Sequence, residues 1–202
     1  MNGPAPWDEV LGRMPVETLR VRRAAFDQLL SGRSITVDAV AAAAGLPAET
    51  AREAVRLIES VGMAEVEGET IVGIDGLSTL QTRHTFVLNG VALWTWCAYD
   101  IIGIASAVGG DATGTTECGL CGREISVVVR RGSPEPNPAV GWLPEESCSD
   151  VMAEFCPSAL LFCSRAHLDQ WRANRAGHAL DVESLAERGR ATWGPLISSQ
   201  VE

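Results

Sequence analysis

The 202-residue chain contains no lysine: all sixteen of its basic residues are arginine, set against 26 acidic ones for a net charge of −10. A phosphate backbone demands concentrated positive charge, so nucleic acid is not an expected partner. No apolar run reaches the roughly 20 residues that span a bilayer. The start, Met1-Asn2-Gly3-Pro4-Ala5-Pro6, has neither the basic residues nor the hydrophobic stretch of a secretion signal. No membrane association is therefore expected, and the cytoplasm is the expected compartment. Internal repeats and low-complexity segments are also lacking. What remains, 46% hydrophobic and 21% charged residues, is the composition of a globular protein long enough for one large domain or two small ones. Cysteine is the residue type in good supply. In a reducing compartment the six cysteines read as metal ligands or reactive thiols, not as disulfides.

The chain is organised around Leu93-Trp94-Thr95-Trp96-Cys97-Ala98-Tyr99-Asp100. Thr85–Leu88 and Val91–Trp94 flank Asn89-Gly90, the dipeptide of a type I′ hairpin turn. The pattern then changes to an apolar helix from Cys97 to Ala105. This predicts Cys97 in a first helical turn, where free N–H groups and the dipole favour a thiolate, with Asp100 on the same face. A nucleophilic sulfur beside a proton carrier suggests chemistry. Taken alone, the pair reads more readily as a small core hydrophobe and a dipole partner.

Residues 1–80 read as a separate unit. Val16, Leu19, Phe26 and Leu30 recur at helical spacing before Ser31-Gly32, and a short strand is expected at Ile35. Thr36 can cap a helix from Val37 to Ala44 that Gly45 ends, and Pro47 opens a third running to about Val61. Met63–Val66 and Thr70–Ile74 form a hairpin. Three helices and a hairpin make a winged-helix-like unit. DNA binding is not expected of it: Glu65, Glu67 and Glu69 occupy the wing, and Arg52 and Arg56 face Glu49, Glu53 and Glu59. Arg20, Arg22 and Arg23 could still form a small basic patch.

Farther on, Gly109–Gly114 reads as a loop, Glu124–Arg131 as a strand, Ser133–Pro138 as a second loop and Val140–Leu143 as a returning strand. A short helix is expected over 144–154, a buried strand at Ala159–Phe162 and a helix from Arg165 to Asn174 capped by Ser164. Val182–Arg188 is a last helix. Within this stretch Cys118-Gly119-Leu120-Cys121-Gly122 has the form of a metal knuckle, in which glycines permit the positive φ that lets two thiolates reach one ion. Cys163 and His167 stand four apart at a helix start.

Taken in order, Asn89-Gly90, Trp96-Cys97-Ala98-x-Asp100, Leu143-Pro144, Asp150-Val151 and Phe155-Cys156 resemble the organomercurial (alkylmercury) lyase family. Leu161-Phe162, Ser164 and Trp171 fall in register, and Cys118 lies where that family has a third cysteine. The resemblance is strongest from about residue 83 to 175, and the family's architecture includes a winged-helix-like N-terminal unit. It implies an α+β fold with a lyase-like domain over 81–202. It also implies protonolysis of a carbon–mercury bond, with Cys97, Asp100 and Cys156 as the catalytic residues. Mercury is soft and prefers thiolates, and a carboxyl beside them is suited to deliver a proton. Hg(II) would remain on Cys97 and Cys156 until a thiol or another mercury-accepting partner removes it, and no organic cofactor is implied. The departures are Pro157, where the family commonly has a further cysteine, and the additional pairs Cys118/Cys121 and Cys163/His167.

Those pairs, with the hairpin between them, look like a treble-clef zinc finger, for which Cys118, Cys121, Cys163 and His167 would be a closed Cys₃His set. Two other readings stay open: that the four are ordinary packing and surface residues, or that Cys97, Cys118, Cys121 and Cys156 form one cluster. Cys148 reads as a packing residue. The competing functions are a non-catalytic zinc or soft-metal-binding protein and, less favoured by the acidic wing, a transcriptional regulator.

Overall fold

Three short helices begin the described chain, which comprises residues 11–145, 148–173 and 175–197 of this computed structural model. The Met1–Pro6 segment therefore lies outside the described residues. Helix α1 (Val16–Leu29) buries Val21, Ala25, Phe26 and Leu29. Strand β1 (Ile35–Thr36) runs straight into α2 (Val37–Ala44). There the Thr36 hydroxyl accepts the Ala39 N–H, and Gly45, at φ +62°, takes the left-handed conformation that ends the helix. Helix α3 (Ala48–Glu59) follows Pro47, which is its N-cap, and it turns Ala51, Ala54, Val55 and Ile58 inward. Strands β2 (Ala64–Glu67) and β3 (Thr70–Ile74) form the expected hairpin.

The antiparallel sheet does not stop there. Strand β4 (Leu77–Ser78) pairs with β3 on one side and with β6 (Val91–Thr95) on the other, and β6 pairs with β5 (His84–Leu88). The sheet thus passes across residue 80 without a break. Asn89 and Gly90 both have positive φ, +49° and +84°, as the type I′ turn requires. After helix α4 (Ala98–Val108), the sheet continues through β7 (Ala112–Glu117), β8 (Glu124–Arg130) and β9 (Ser133–Pro134), giving nine strands in all among the described residues.

Two segments expected to be loops are therefore partly strand. Residues 112–114 pair with β5, and Gly114 fits because a Cβ there would lie 2.6 Å from both Ile101 Cγ2 and the Thr85 carbonyl. Ser133–Pro134 pairs only at the sheet edge, where proline's missing N–H is harmless.

A second sheet of three strands, in the order β11-β10-β12, closes the molecule. Its central strand is β10 (Val140–Pro144), flanked by β11 (Leu160–Phe162) and β12 (Gly177–Asp181). Strand β12 was not expected. It pairs Gly177 with Pro144 and leads directly into the last helix. The helix expected over 144–154 is replaced: Pro144 ends β10, and a single π-helical turn, Val151–Phe155, follows an Asp150 cap. A 3₁₀ turn, Cys156–Ser158, comes next. Residues 146 and 147 of that expectation lie outside the described residues, as does Asn174 at the expected end of α5 (Arg165–Arg172), where Ala173 already leaves helical geometry.

Helix α4 is buried along nearly its whole length and packs against α6 (Val182–Ile197), which runs well past the expected Arg188. Glycine makes that contact possible. A Cβ on Gly189 would lie 2.2 Å from Gly103 Cα, and one on Gly103 would meet the Trp193 ring at 2.2 Å. The two backbones therefore touch, with Tyr99 and Trp193 tilted against each other at 5.1 Å beside them. Among the described residues no helix is long and apolar enough to cross a membrane.

Candidate active site

Strand β6 delivers the chain to α4 through Thr95-Trp96-Cys97. The Thr95 hydroxyl donates to the Cys97 carbonyl at 3.0 Å, and the Trp96 N–H donates to the Gly76 carbonyl at 3.0 Å. These bonds hold Cys97 in extended conformation as the N-cap of α4, one residue before the first turn in which it was expected. The Cys97 N–H donates to Asp100 Oδ2 at 2.8 Å, and the Asp100 N–H in return faces the Cys97 sulfur. This is a capping box in which a thiol stands where serine or threonine usually does.

Cys156 arrives from the opposite side. The Val151 N–H donates to the Val61 carbonyl at 3.0 Å, and a Cβ on Gly62 would lie 2.0 Å from Asp150 Oδ1, so this segment docks closely on the loop after α3. One ligand atom each from Cys97, Asp100 and Cys156 then lies within 4.8 Å of the others, and all three residues are buried. The side chains predicted together are together.

Their electrostatics depart from expectation at Cys97. Burial raises its thiol pKa well above the ordinary value, and the nearby Cys156 and Asp100 raise it further, while the Asp100 N–H opposes this only in part. Complete desolvation outweighs the helix terminus, so the resting sulfur is a thiol and not the expected thiolate. Burial also lifts Asp100 to about 7, against hydrogen bonds from Cys97 and Trp96 that favour its ionised form, with a smaller upward push from Asp75. Trp96, Asp100, Phe155, Cys156 and Trp193 line a cavity whose space for the centre of a water-sized molecule is ≈ 20 Å³, about what one water needs.

The second set also assembles. One ligand atom each from Cys118, Cys121, Cys163 and His167 lies within 4.8 Å of the others. The structure therefore forms two separate groups and not the mixed set of Cys97, Cys118, Cys121 and Cys156. The knuckle closes through the Gly122 N–H, which donates to the Cys118 carbonyl at 3.0 Å with Gly122 at φ +69°, and through the Cys118 N–H donating to Arg123 at 2.8 Å. The Gly119 N–H donates to the Leu161 carbonyl at 3.0 Å, fastening the knuckle to β11. Ser164 caps α5 by accepting the His167 N–H at 3.3 Å. Cys148 is buried as expected, and burial with nearby Glu154 and Cys156 raises its pKa to about 11.

Comparison with known proteins decides the lineage. The family model MerB: Alkylmercury lyase matches residues 77–194. The chain belongs to the alkylmercury lyase family. It is 29% identical to an alkylmercury lyase of Pseudomonas putida over 197 residues, which is 94% of this chain and 88% of the relative. With an alkylmercury lyase of Bacillus cereus it shares 28% over 173 residues, 83% of this chain and 78% of the relative. The fold also matches that of the mercury-bound form of MerB2 with a TM-score of 0.86, at 22% identity, covering 96% of this chain and 97% of the other.

The match to the alkylmercury lyase model begins at Leu77, so it omits two residues that underlie the site. Arg22 of α1 grips Asp75, its Nη2 lying 2.7 Å from Oδ1 and its Nε 3.1 Å from both carboxylate oxygens, with both side chains buried. Trp193 Nε1 donates to the Asp75 carbonyl at 2.7 Å. Neither residue was singled out for the site. The Asp75-Gly76 pair, both at positive φ, was readable as a turn signal just beyond the hairpin. The suggested basic patch is not formed. Arg22 is buried against Asp75, Arg20 donates to the Ala44 and Gly45 carbonyls at the end of α2, and Arg23 donates to the Pro195 carbonyl at 2.7 and 2.9 Å.

Proposed function

We propose that the chain is an alkylmercury lyase that cleaves the carbon–mercury bond by protonolysis, using Cys97, Cys156 and Asp100. The observation that carries the mechanism is a carboxyl titrating near neutrality within reach of two buried thiols. An R–Hg⁺ unit arriving on a small thiol is transferred to the two sulfurs. One thiol proton leaves with the displaced carrier, and the other passes to Asp100, whose carboxylate already accepts hydrogen bonds from Cys97. Dithiolate coordination pushes electron density toward carbon. The Asp100 O–H then gives its proton to that carbon as the C–Hg bond breaks, its electron pair staying with the carbon. The net change is R–Hg⁺ plus two thiols to R–H, a Hg(II) dithiolate and one proton. Another thiol must then collect Hg(II), and no organic cofactor enters the scheme. A storage role for the same sulfurs gives Asp100 no work.

The remaining assignments follow the same reading. Helices α1–α3 with β2–β3 are winged-helix-like, and we divide the chain into 1–80 and 81–202, the first supplying Arg22 beneath the second's catalytic turn. The β7–β8 knuckle, β10, β11 and the start of α5 are treble-clef-like. A cytoplasmic compartment fits six cysteines none of which is in a disulfide. Absence of nucleic-acid binding fits Arg52, which is paired with Asp38 at 2.6 Å and lies 3.7 Å from Glu69. The test is turnover of an aryl- or alkyl-mercury compound in excess thiol. Wild type should release hydrocarbon repeatedly, and Cys97→Ser and Cys156→Ser should not. Full turnover in either variant would show that the two sulfurs are not the mercury ligands of the reaction.

A further inference from the structure

We infer that Cys118, Cys121, Cys163 and His167 hold a resident Zn(II) ion, independent of the Cys97–Cys156 pair and of the chemistry performed there. Tetrahedral zinc with sulfur ligands at about 2.3 Å and nitrogen at about 2.0 Å sets neighbouring ligand atoms some 3.5–3.8 Å apart. The Cys121 and Cys163 sulfurs are 3.9 Å apart, and His167 Nδ1 lies 3.6 Å from the Cys118 sulfur and 3.2 Å from that of Cys163. These are the edges of a ligand tetrahedron and are far too long for disulfides, which need about 2.05 Å. His167 aims its Nδ1 at the sulfurs, as a neutral imidazole does when it serves as a ligand.

The surrounding backbone supports charge on sulfur. The Cys163 N–H donates to the Cys118 sulfur at 3.4 Å. A dication at the centre of the three sulfurs and the imidazole would engage all four donors at once. All four donors are nitrogen or sulfur and no position is left for substrate, which is the form of a closed structural site. Mercury(II) is satisfied by two sulfurs, so the histidine and the third cysteine favour zinc.

The ion would tie the knuckle between β7 and β8 to the end of β11 and the first turn of α5. Strand β11 directly follows the 3₁₀ turn that carries Cys156. The cluster therefore anchors the segment that presents one of the two buried thiols without taking part in any bond change.

Elemental analysis of the full chain from zinc-supplemented growth tests this. One zinc per chain is expected in wild type and in Cys97→Ser, and none in Cys121→Ser or His167→Ala. Chelation should lower the wild-type melting temperature, and added Zn(II) should restore it. Should both variants fail to fold, Co(II) added to the chelated wild type gives a second reading. Thiolate-to-cobalt charge transfer with tetrahedral d–d bands is expected, undiminished in Cys97→Ser. Wild type with no zinc and no such cobalt spectrum overturns the inference. So does zinc that disappears in Cys97→Ser, which would place the ion on the other thiols.

Discussion

Gly76 lies so close to Asp100 that a Cβ at position 76 would sit 2.8 Å from the carboxyl carbon and 3.0 Å from both its oxygens. Its φ of +92° is also one that other residues adopt only with strain. The carboxyl is thus packed against bare backbone, and the turn that follows β3 sets its position. Gly76→Ala should cost about 1–3 kcal/mol in backbone strain and should also slow hydrocarbon release by displacing Asp100. Urea unfolding and a single-turnover rate measure the two effects. A variant with wild-type values in both would show that the contact does not position the carboxyl.

Beneath that turn, Arg22 is the cation that grips the buried Asp75 carboxylate. Removing one partner of a buried pair strands the other, a loss of about 3–5 kcal/mol. Arg22→Met should therefore destabilise strongly, and Arg22→Met with Asp75→Asn should recover much of the loss. Chemical denaturation of the single and double variants reads this as a coupling energy. Equal destabilisation in both would mean that the ion pair is not what the first substitution breaks.

The pH dependence has two opposing parts. Asp100, raised to about 7 from 3.8, binds a proton more tightly in the folded state. Its contribution to stability is full below pH 3.8 and lost as pH rises through 7. His84, buried against Thr116 and lowered to about 4 from 6.5, does the reverse: its contribution is present above 6.5 and lost as pH falls toward 4. Between about pH 4 and 6.5 the two slopes cancel. Asp100→Asn should expose the histidine alone, so that its stability rises with pH across that window relative to wild type. Parallel wild-type and variant curves from denaturant melts at several pH values would contradict this.

The N-terminal helices invite a test against duplex DNA. Arg52 and Arg56 are paired with Asp38 and Glu49, and the β2–β3 hairpin presents Glu65, Glu67 and Glu69. Fluorescence anisotropy of the full chain at low salt, where charge is least screened, should show no salt-sensitive binding. Submicromolar binding that weakens with salt would restore a regulator's role.

Much of this could be read from residue order, because the signals were local. Asn89-Gly90 demands one turn type, Thr36 and Ser164 cap the helices they precede, and Cys-x-x-Cys-Gly closes one kind of knuckle. The misreadings arose where distant partners decide the outcome. Ala112–Glu117 is a strand because β5 and β8 flank it, in spite of Gly114. Gly177–Asp181 is one because β10 has a free edge. Cys97 was expected to ionise from its place at a helix start, but burial, which depends on the whole fold, overrides that local field. The Arg22–Asp75 pair spans 53 residues, and no spacing within either segment announces it.

The central claim is that Asp100 delivers the proton that breaks the carbon–mercury bond. The direct measurement is a single turnover in which hydrocarbon release and protein-bound mercury are followed on the same sample, for wild type and Asp100→Ala. Both proteins should bind mercury on Cys97 and Cys156, and the variant should release hydrocarbon roughly 10²–10⁴-fold more slowly, the usual reach of a positioned general acid. The wild-type rate should hold level above pH 7 and fall below it, where the carboxyl is already protonated and cannot take the second thiol's proton. Release from Asp100→Ala at the wild-type rate, or no hydrocarbon from wild type with any organomercurial, would contradict the assignment.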